Sequence, residues 1–308
     1  MADQFGYAPQ IKLPVAQPTL VLSPRARRET ILQIMGSARR SLTFSLFRCD
    51  DFSVLEAVAA AVRRNVAVRV LITRRARDWR KRLDELSSLL ESAGAEVYRY
   101  DPMLKYHAKY MIADEDTAFV ATLNFTRKCF TSTCDSLLVT HDPNIVLGLK
   151  TLFEIDIRTP GIPLPALTDR LIIGPDQTRS RLTEILGSAR ESIRIIDHRL
   201  TDPQVLSLLN RKAQSGVAVQ VLRQGAVGDL VCHGTMFLVD GRTAVIGSAA
   251  LLTASLDSRR EVSIVVSDTQ VLREMNEFFD SLLQQSPVDA SHCIEPLTER
   301  NVEDDDDE

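Results

Sequence analysis

The sequence predicts an α/β fold of two pseudo-symmetric lobes, each a mixed β-sheet flanked by helices. Three observations lead there: a repeat running through most of the chain, the order of helical and strand periodicities within each copy, and a proline-rich break between the copies. LVLSP at 20–24 recurs as LIIGP at 171–175, and GSARRSLTFSLF at 36–47 recurs as GSARESIRIIDH at 187–198, both 151 positions later. HAKYMIADEDTAFVATLNFT at 107–126 recurs as HGTMFLVDGRTAVIGSAALL at 233–252, but only 126 positions later, so the second copy lacks about 25 residues, the equivalent of 74–103.

In the first copy the apolar positions Ile31, Ile34 and Met35 predict a helix, followed by a strand at 41–47, a helix at 52–64 and a strand at 66–73. The inserted stretch RRARDWRKRLDELSSLLESAGAEVYRY reads as one further helix and strand. Strands at 107–113, 117–122 and 136–140 then follow with no helix between them, so the sheet is expected to be mixed rather than purely parallel. The second copy repeats this order with a helix at 177–189, strands at 192–197 and 217–222, and a helix at 203–215. Helices at 143–156 and 269–284 close the two copies. RTPGIPLPALTD at 158–169 carries no periodic pattern. The expected organisation is an N-terminal extension (1–18), a first lobe (19–158), a linker (159–169), a second lobe (170–285) and an acidic disordered tail (286–308).

With 44% hydrophobic and 25% charged residues, the 308-residue chain falls in the globular range. It has neither a leader-like N-terminus nor an apolar run long enough to span a membrane, which predicts a cytoplasmic protein without a transmembrane segment. The five cysteines are odd in number and form no close pairs, so free thiols are expected, with no metal and no cofactor. The net charge of −4 includes six acidic residues at the end of the chain, Glu303 to Glu308; without them the balance is +2.

His107 and Lys109 stand two apart in a predicted strand and project to one face. An imidazole there can attack phosphorus, and a fixed cation can stabilise the charge that builds on the non-bridging oxygens. Thr122 and Asn124 alternate onto one face downstream and can donate hydrogen bonds to the same oxygens. Asp135 follows His107 by 28 positions, and Glu261 follows His233 by the same 28. An acid thus recurs at the matched place in both copies, and a carboxylate on Nδ1 would fix the tautomer of an imidazole and raise its basicity.

HAKYMIAD followed by TLNF resembles the HxKxxxxD motif of the phospholipase D superfamily with its trailing Gly/Ser/Thr-x-Asn, and the resemblance spans about 19–285. It implies two histidines facing each other across a pseudo-two-fold axis, no metal, and a covalent phosphohistidine. In those terms His107 is the nucleophile, Lys109 and Asn124 clamp the phosphate, Asp114 supports the motif and Asp135 orients His107. His233 is the general acid and Glu261 its orienter. The second motif departs from the pattern: Thr235 stands in place of lysine and Ala250 in place of asparagine, while Ser248 and Asp240 are retained. Thr122, Thr235 and Ser248 complete the expected phosphate-binding set. Arg48 and Arg199 occupy matched positions, and Arg199, or His198 beside it, is expected to supply the missing charge.

The expected function is phosphodiester cleavage or transfer, with phospholipid favoured over nucleic acid. A metal-independent nuclease and an inactive phosphodiester-binding protein are the alternatives. The arginine-rich stretch from Arg63 to Arg82, with Trp79 inside it, adds a possible contact with nucleic acid or a membrane surface. A monomer is expected.

Overall fold

The computed structural model describes residues 17–74, 80–100, 104–164, 166–223, 226–227 and 229–285. The extension up to residue 16, the acidic tail, Trp79, Arg75 and Arg77 lie outside the described residues.

Each lobe is organised by a strand whose alternate apolar residues face a helical layer. In β2 (Ser41–Leu46) the residues Leu42 and Phe44 are fully buried against α1 (Pro24–Ser37) and α2 (Phe52–Arg63). β2 pairs in parallel with β3 (Ala67–Thr73), and β3 with β4 (Glu96–Tyr100), which is reached through α3 (Arg80–Ser92). After the short β5 (Lys105–Tyr106), the antiparallel run β6 (Tyr110–Ala113), β7 (Thr117–Ala121) and β9 (Leu137–Thr140) completes the sheet. With β1 (Thr19–Val21) on its edge, the seven-stranded order is β1-β9-β7-β6-β2-β3-β4. β8 (Thr133–Cys134) stays outside this sheet, and α4 (Pro143–Arg158) closes the lobe.

The second lobe repeats the plan without the α3–β4 insertion. Its six-stranded sheet runs in the order β10-β18-β16-β15-β11-β12. These are β10 (Leu171–Ile173), β11 (Ser192–Ile196), β12 (Ala218–Leu222), β15 (Thr235–Val239), β16 (Thr243–Gly247) and β18 (Val262–Val266), and only β11 and β12 pair in parallel. The helices are α5 (Thr178–Gly187), α6 (Pro203–Gln214), the short α7 (Thr253–Ser258) and the closing α8 (Thr269–Gln285). No helix among the described residues is long and apolar enough to cross a membrane.

The repeat extends to local details. Asp51 caps α2 by accepting from Ser53 N, and Asp202 caps α6 by accepting from Gln204 N and Val205 N. Each cap also holds an arginine from the preceding helix, Arg28 on Asp51 and Arg179 on Asp202. The two motif aspartates lie in matching tight turns at positive φ, 52° for Asp114 and 51° for Asp240. Asp114 accepts from the backbone N–H groups of Arg39, Arg40 and Ser41, and Asp240 from those of Arg190, Glu191 and Ser192. Both carboxylates thus fasten the start of the central strand to the hairpin that carries the histidine motif.

The inner faces of the two sheets, with α4 and α8, form one apolar core shared by both lobes, including Tyr110, Leu138, Leu149, Ile246 and Phe279. At its margin Arg260 Nε lies 3.1 Å from Asp156 Oδ1, and both side chains are fully buried. Arg260 also donates to Gly174 O at 2.6 Å. Two small sheets join the lobes: β5 pairs in parallel with β17 (Arg259–Arg260), and β8 with β14 (Leu230–Cys232), itself paired with β13 (Ala226–Val227).

One expectation is corrected. The strand predicted at 107–113 begins only at Tyr110, because His107 leaves the sheet to reach the other lobe, its N–H donating to Arg260 O at 2.9 Å.

Deleting one member of a buried ion pair strands the other without compensation. Asp156→Ala is therefore expected to destabilise the protein by about 3–5 kcal/mol, read from urea unfolding, whereas Asp156→Leu combined with Arg260→Met is expected to recover much of that loss.

Candidate active site

The two inter-lobe strand pairs determine which acid meets which histidine. In β14 and β8, Cys232 is in register with Cys134, so the next residues, His233 and Asp135, stand side by side. In β17 and β5, Arg260 is in register with Tyr106, which brings Glu261 to His107. His107 Nδ1 lies 2.9 Å from Glu261 Oε2, and His233 Nδ1 lies 2.9 Å from Asp135 Oδ2. The carboxylates are thus exchanged between lobes, correcting the expectation that Asp135 orients His107 and Glu261 orients His233. Equal spacing within the copies records the symmetry of the repeat but not which copy the chain pairs with.

Both histidines line one cavity of about 100 Å³, together with Phe47, Arg48, Lys109, Thr122, Asn124, Lys128, His198, Arg199, Val231 and Cys232. The volume suits a phosphate group and little more. His107 is buried, and desolvation holds its pKa well below the usual imidazole value in spite of the facing carboxylate. Burial opposes ionisation of Glu261, but His107, the hydrogen bond between them and Lys109 outweigh it and hold the carboxyl at about 2. Neutral His107 therefore donates Nδ1–H to a carboxylate and keeps its Nε2 lone pair. Lys109 Nζ sits 2.9 Å from that Nε2 and 2.9 Å from His107 O. Burial, reinforced by the positive charge of Arg199, lowers Lys109 to about 7.

Asp135 has a denser set of partners. Besides His233 it accepts from Thr122 Oγ1 at 2.7 Å and Thr133 Oγ1 at 2.5 Å, and Arg27 Nη1 lies 3.8 Å away. Burial works against the charge, yet His233, Arg27 and Thr122 together hold the Asp135 carboxyl far below its ordinary range. Arg27, a fully buried residue of α1 that also donates to Thr133 O at 2.8 Å, was not flagged by the sequence. Its repeat partner is Thr178, so the motif comparison that identified the histidines gave no signal for it. Gly234 is also required here, because a Cβ at that position would press into the Thr122 hydroxyl and the Asp135 carboxylate. Ala108 fills the matching place in the first lobe.

The predicted phosphate-binding set divides. Thr122, Asn124 and Arg199 line the cavity; Thr235 and Ser248 do not. Ser248 Oγ is committed to the adjoining strand, accepting from Val262 N at 3.0 Å and lying 3.3 Å from Val262 O. Thr235 lies beside Asp197, a buried carboxyl whose pKa is raised by desolvation. The second lobe thus places Asp197 and His198 where the first has Leu46 and Phe47. The His198 ring stacks on His233 with centroids 5.7 Å apart, whereas Phe47 meets His107 edge-on at 4.8 Å. Burial, with Arg199 and His233 adding to it, lowers His198 to about 3, so it is a neutral imidazole and supplies no charge. Of the two residues expected to replace the missing lysine, only Arg199 brings a cation to the cavity. Lys128, from a 3-10 turn at Lys128–Phe130, adds another that the motif reading missed.

Among the described residues, one group of side chains has metal-ligating spacing: Cys129, Asp135 and His233, with ligand atoms within 4.8 Å of one another. It fits a metal poorly. Burial pushes the Cys129 thiol up to about 12, away from the thiolate a metal needs, and Asp135 is occupied by His233, Thr122, Thr133 and Arg27.

A family model described as "Cardiolipin synthase, PLD-like domain" matches residues 31–157. Mitochondrial cardiolipin hydrolase of Xenopus laevis is 31% identical over 125 residues, covering 40% of this chain and 57% of that protein. Polyphosphate kinase of Escherichia coli K12 is 23% identical over 333 aligned positions, covering 92% of this chain and 47% of that one. The chain therefore spans about half the length of these curated relatives. Phosphatidylserine synthase of Haemophilus influenzae superposes with a TM-score of 0.71 at 10% identity, covering 87% of this chain and 86% of the other, and so shares its two-lobed fold.

Lys109 deprotonates as pH rises through about 7, while His107 is already neutral below that. Any His107-dependent turnover is therefore expected to have a kcat/KM that falls above pH ~7, since the cation facing the phosphate is lost on that side. Lys109→Arg is expected to remove this alkaline limb, and a pH–rate profile of both proteins checks it.

Proposed function

The chain belongs to the phospholipase D superfamily, and from that premise we propose that it cleaves or transfers a phosphodiester, a phospholipid in particular, through a covalent intermediate on His107. The single observation that carries the reading is a neutral, buried imidazole anchored by Glu261 at Nδ1, with its Nε2 beside Lys109 in a cavity the size of a phosphate. On substrate binding, a non-bridging phosphate oxygen takes over the Lys109 ammonium and frees the Nε2 lone pair. Nε2 attacks phosphorus, and the P–O bond to the leaving group breaks. His233, held by Asp135, gives its proton to the departing oxygen. His233 then takes a proton from water or an alcohol, whose oxygen attacks phosphorus and breaks the P–N bond. Arg48, Arg199 and Lys128 stabilise the equatorial oxygens throughout, and Asn124 can turn its amide NH₂ toward them.

A second reading has its own support. Four cationic side chains, Arg48, Lys109, Lys128 and Arg199, surround one small cavity, more positive charge than the single negative charge of a phosphodiester calls for. A phosphoanhydride donor such as inorganic polyphosphate would match it better, and the similarity to polyphosphate kinase extends over 92% of the chain.

Trapping separates the steps. With His233→Ala, which lacks the group that activates the acceptor, a ³²P-labelled substrate carrying a good leaving group is expected to leave label on His107, stable to base and labile to acid. Asp135→Asn should behave like His233→Ala, and Glu261→Gln should fail to label. Label from a phospholipid or a soluble diester supports the first reading, and label from polyphosphate alone supports the second. Folded protein that takes no label from any donor would point to a binding protein without turnover.

A further inference from the structure

Beside the phosphate cavity, on the first lobe, lies a second concavity of about 440 Å³. Phe52 and Leu55 of α2 and Leu86 and Leu89 of α3 form its walls, and Asp50, Arg82, Glu85 and Arg127 line it with balanced charge. Phe52 and Leu89 are 65% and 52% exposed, an unfavourable display of large apolar side chains to water. The two concavities share a wall: Arg48 lines the cavity and the next residue, Cys49, the groove, while Arg127 lines the groove and Lys128 the cavity. That wall is held firmly, with Asp50 N and Asp51 N donating to Phe125 O and Arg127 N donating to Asp50 Oδ1 at 2.8 Å. The far side of the groove is α3, part of the insertion that the second lobe lacks. The groove thus lies next to the half-site that carries both His107 and Lys109.

We propose that this groove binds an acyl chain of the phospholipid whose phosphodiester lies at His107, the chain lying along Phe52, Leu55, Leu86 and Leu89. The proposal rests on the phosphodiester reading above and names the part of the substrate that the phosphate cavity is too small to hold. A chain fits the wall better than a nucleobase does. Base binding relies on open aromatic faces, whereas this wall offers three leucines and a single aromatic ring, Phe52. An alkyl chain needs apolar area alone.

Binding can be measured apart from chemistry by titrating full-length His107→Ala with a fluorescent dodecyl phosphate and its butyl analogue. The long chain is expected to bind at least about ten-fold more tightly. Phe52→Ser with Leu89→Ser, both more than half exposed and so safe for folding, is expected to erase that difference. Leu147→Ser, an equally exposed apolar residue on α4, should preserve it. A chain-length preference that survives the groove substitutions overturns the proposal. So does groove-dependent displacement of the probe by single-stranded DNA, which would assign a base instead. Turnover of bis(p-nitrophenyl) phosphate by unmodified protein and by His107→Ala tests the chemistry alone. Its absence alongside groove-dependent chain binding would overturn the enzymatic reading and not the groove; its presence without such binding would do the reverse.

Discussion

Two short parallel strand pairs, β5 with β17 and β8 with β14, fix the relation between the lobes, and the chemistry of the site depends on them. Each pair contributes only two registered residues, yet each ends immediately before an acid and a histidine that must meet. Strand pairing sets position along the chain to within one residue, because a slip of one turns every side chain to the opposite face. Burial of the apolar inner faces does not by itself fix a register, and the docking that forms these four backbone pairings gives both imidazoles a carboxylate. Hydrophobic burial supplies the driving force for assembly, and the strand pairs supply its accuracy.

The two half-sites have diverged from a common plan toward different electrostatic roles. In the first, Lys109, Asn124 and the edge of Phe47 surround a buried imidazole that is neutral because desolvation outweighs the facing carboxylate. In the second, the His198 ring stacks on an imidazole whose carboxylate is reinforced by Arg27 and two threonine hydroxyls, and Thr235 and Ala250 stand at the lysine and asparagine positions. A lysine at 235 would have added a fifth cation to Arg48, Lys109, Lys128 and Arg199, where burial, with the Arg199 charge adding to it, already lowers Lys109 to about 7. The loss of lysine from the second motif thus agrees with the crowding of positive charge, which makes it a compensated change rather than a simple deletion.

Much of this was legible in the sequence because repetition samples the same physics twice. The helices and central strands fell within a few residues of their expected bounds, since apolar periodicity is a local property. Both histidines, both acids and the motif aspartates were visible because they recur at matched positions, and Lys109 and Asn124 because they alternate with His107 and Thr122 onto one strand face. What could not be read was relational. The exchange of Asp135 and Glu261 depends on which lobe a strand pairs with, a choice that spacing within one copy does not encode. Arg27 is invisible because its repeat partner is Thr178, and Lys128 because it sits in a turn without periodicity. Ser248 conformed to the motif but spends its hydroxyl on Val262, a contact set by the neighbouring strand rather than by its own.

The exchange of carboxylates also ties completion of the site to assembly of the lobes. A lobe folded by itself would hold a histidine with no acid and an acid with no histidine, so neither half forms this site without the other beside it. One lobe could complete the site only by pairing with a second copy of itself, and joining two copies in one chain frees each from having to keep every residue. Arg27 in one copy and the α3–β4 insertion in the same copy are changes of that kind, open to a chain only after its two halves no longer had to be identical.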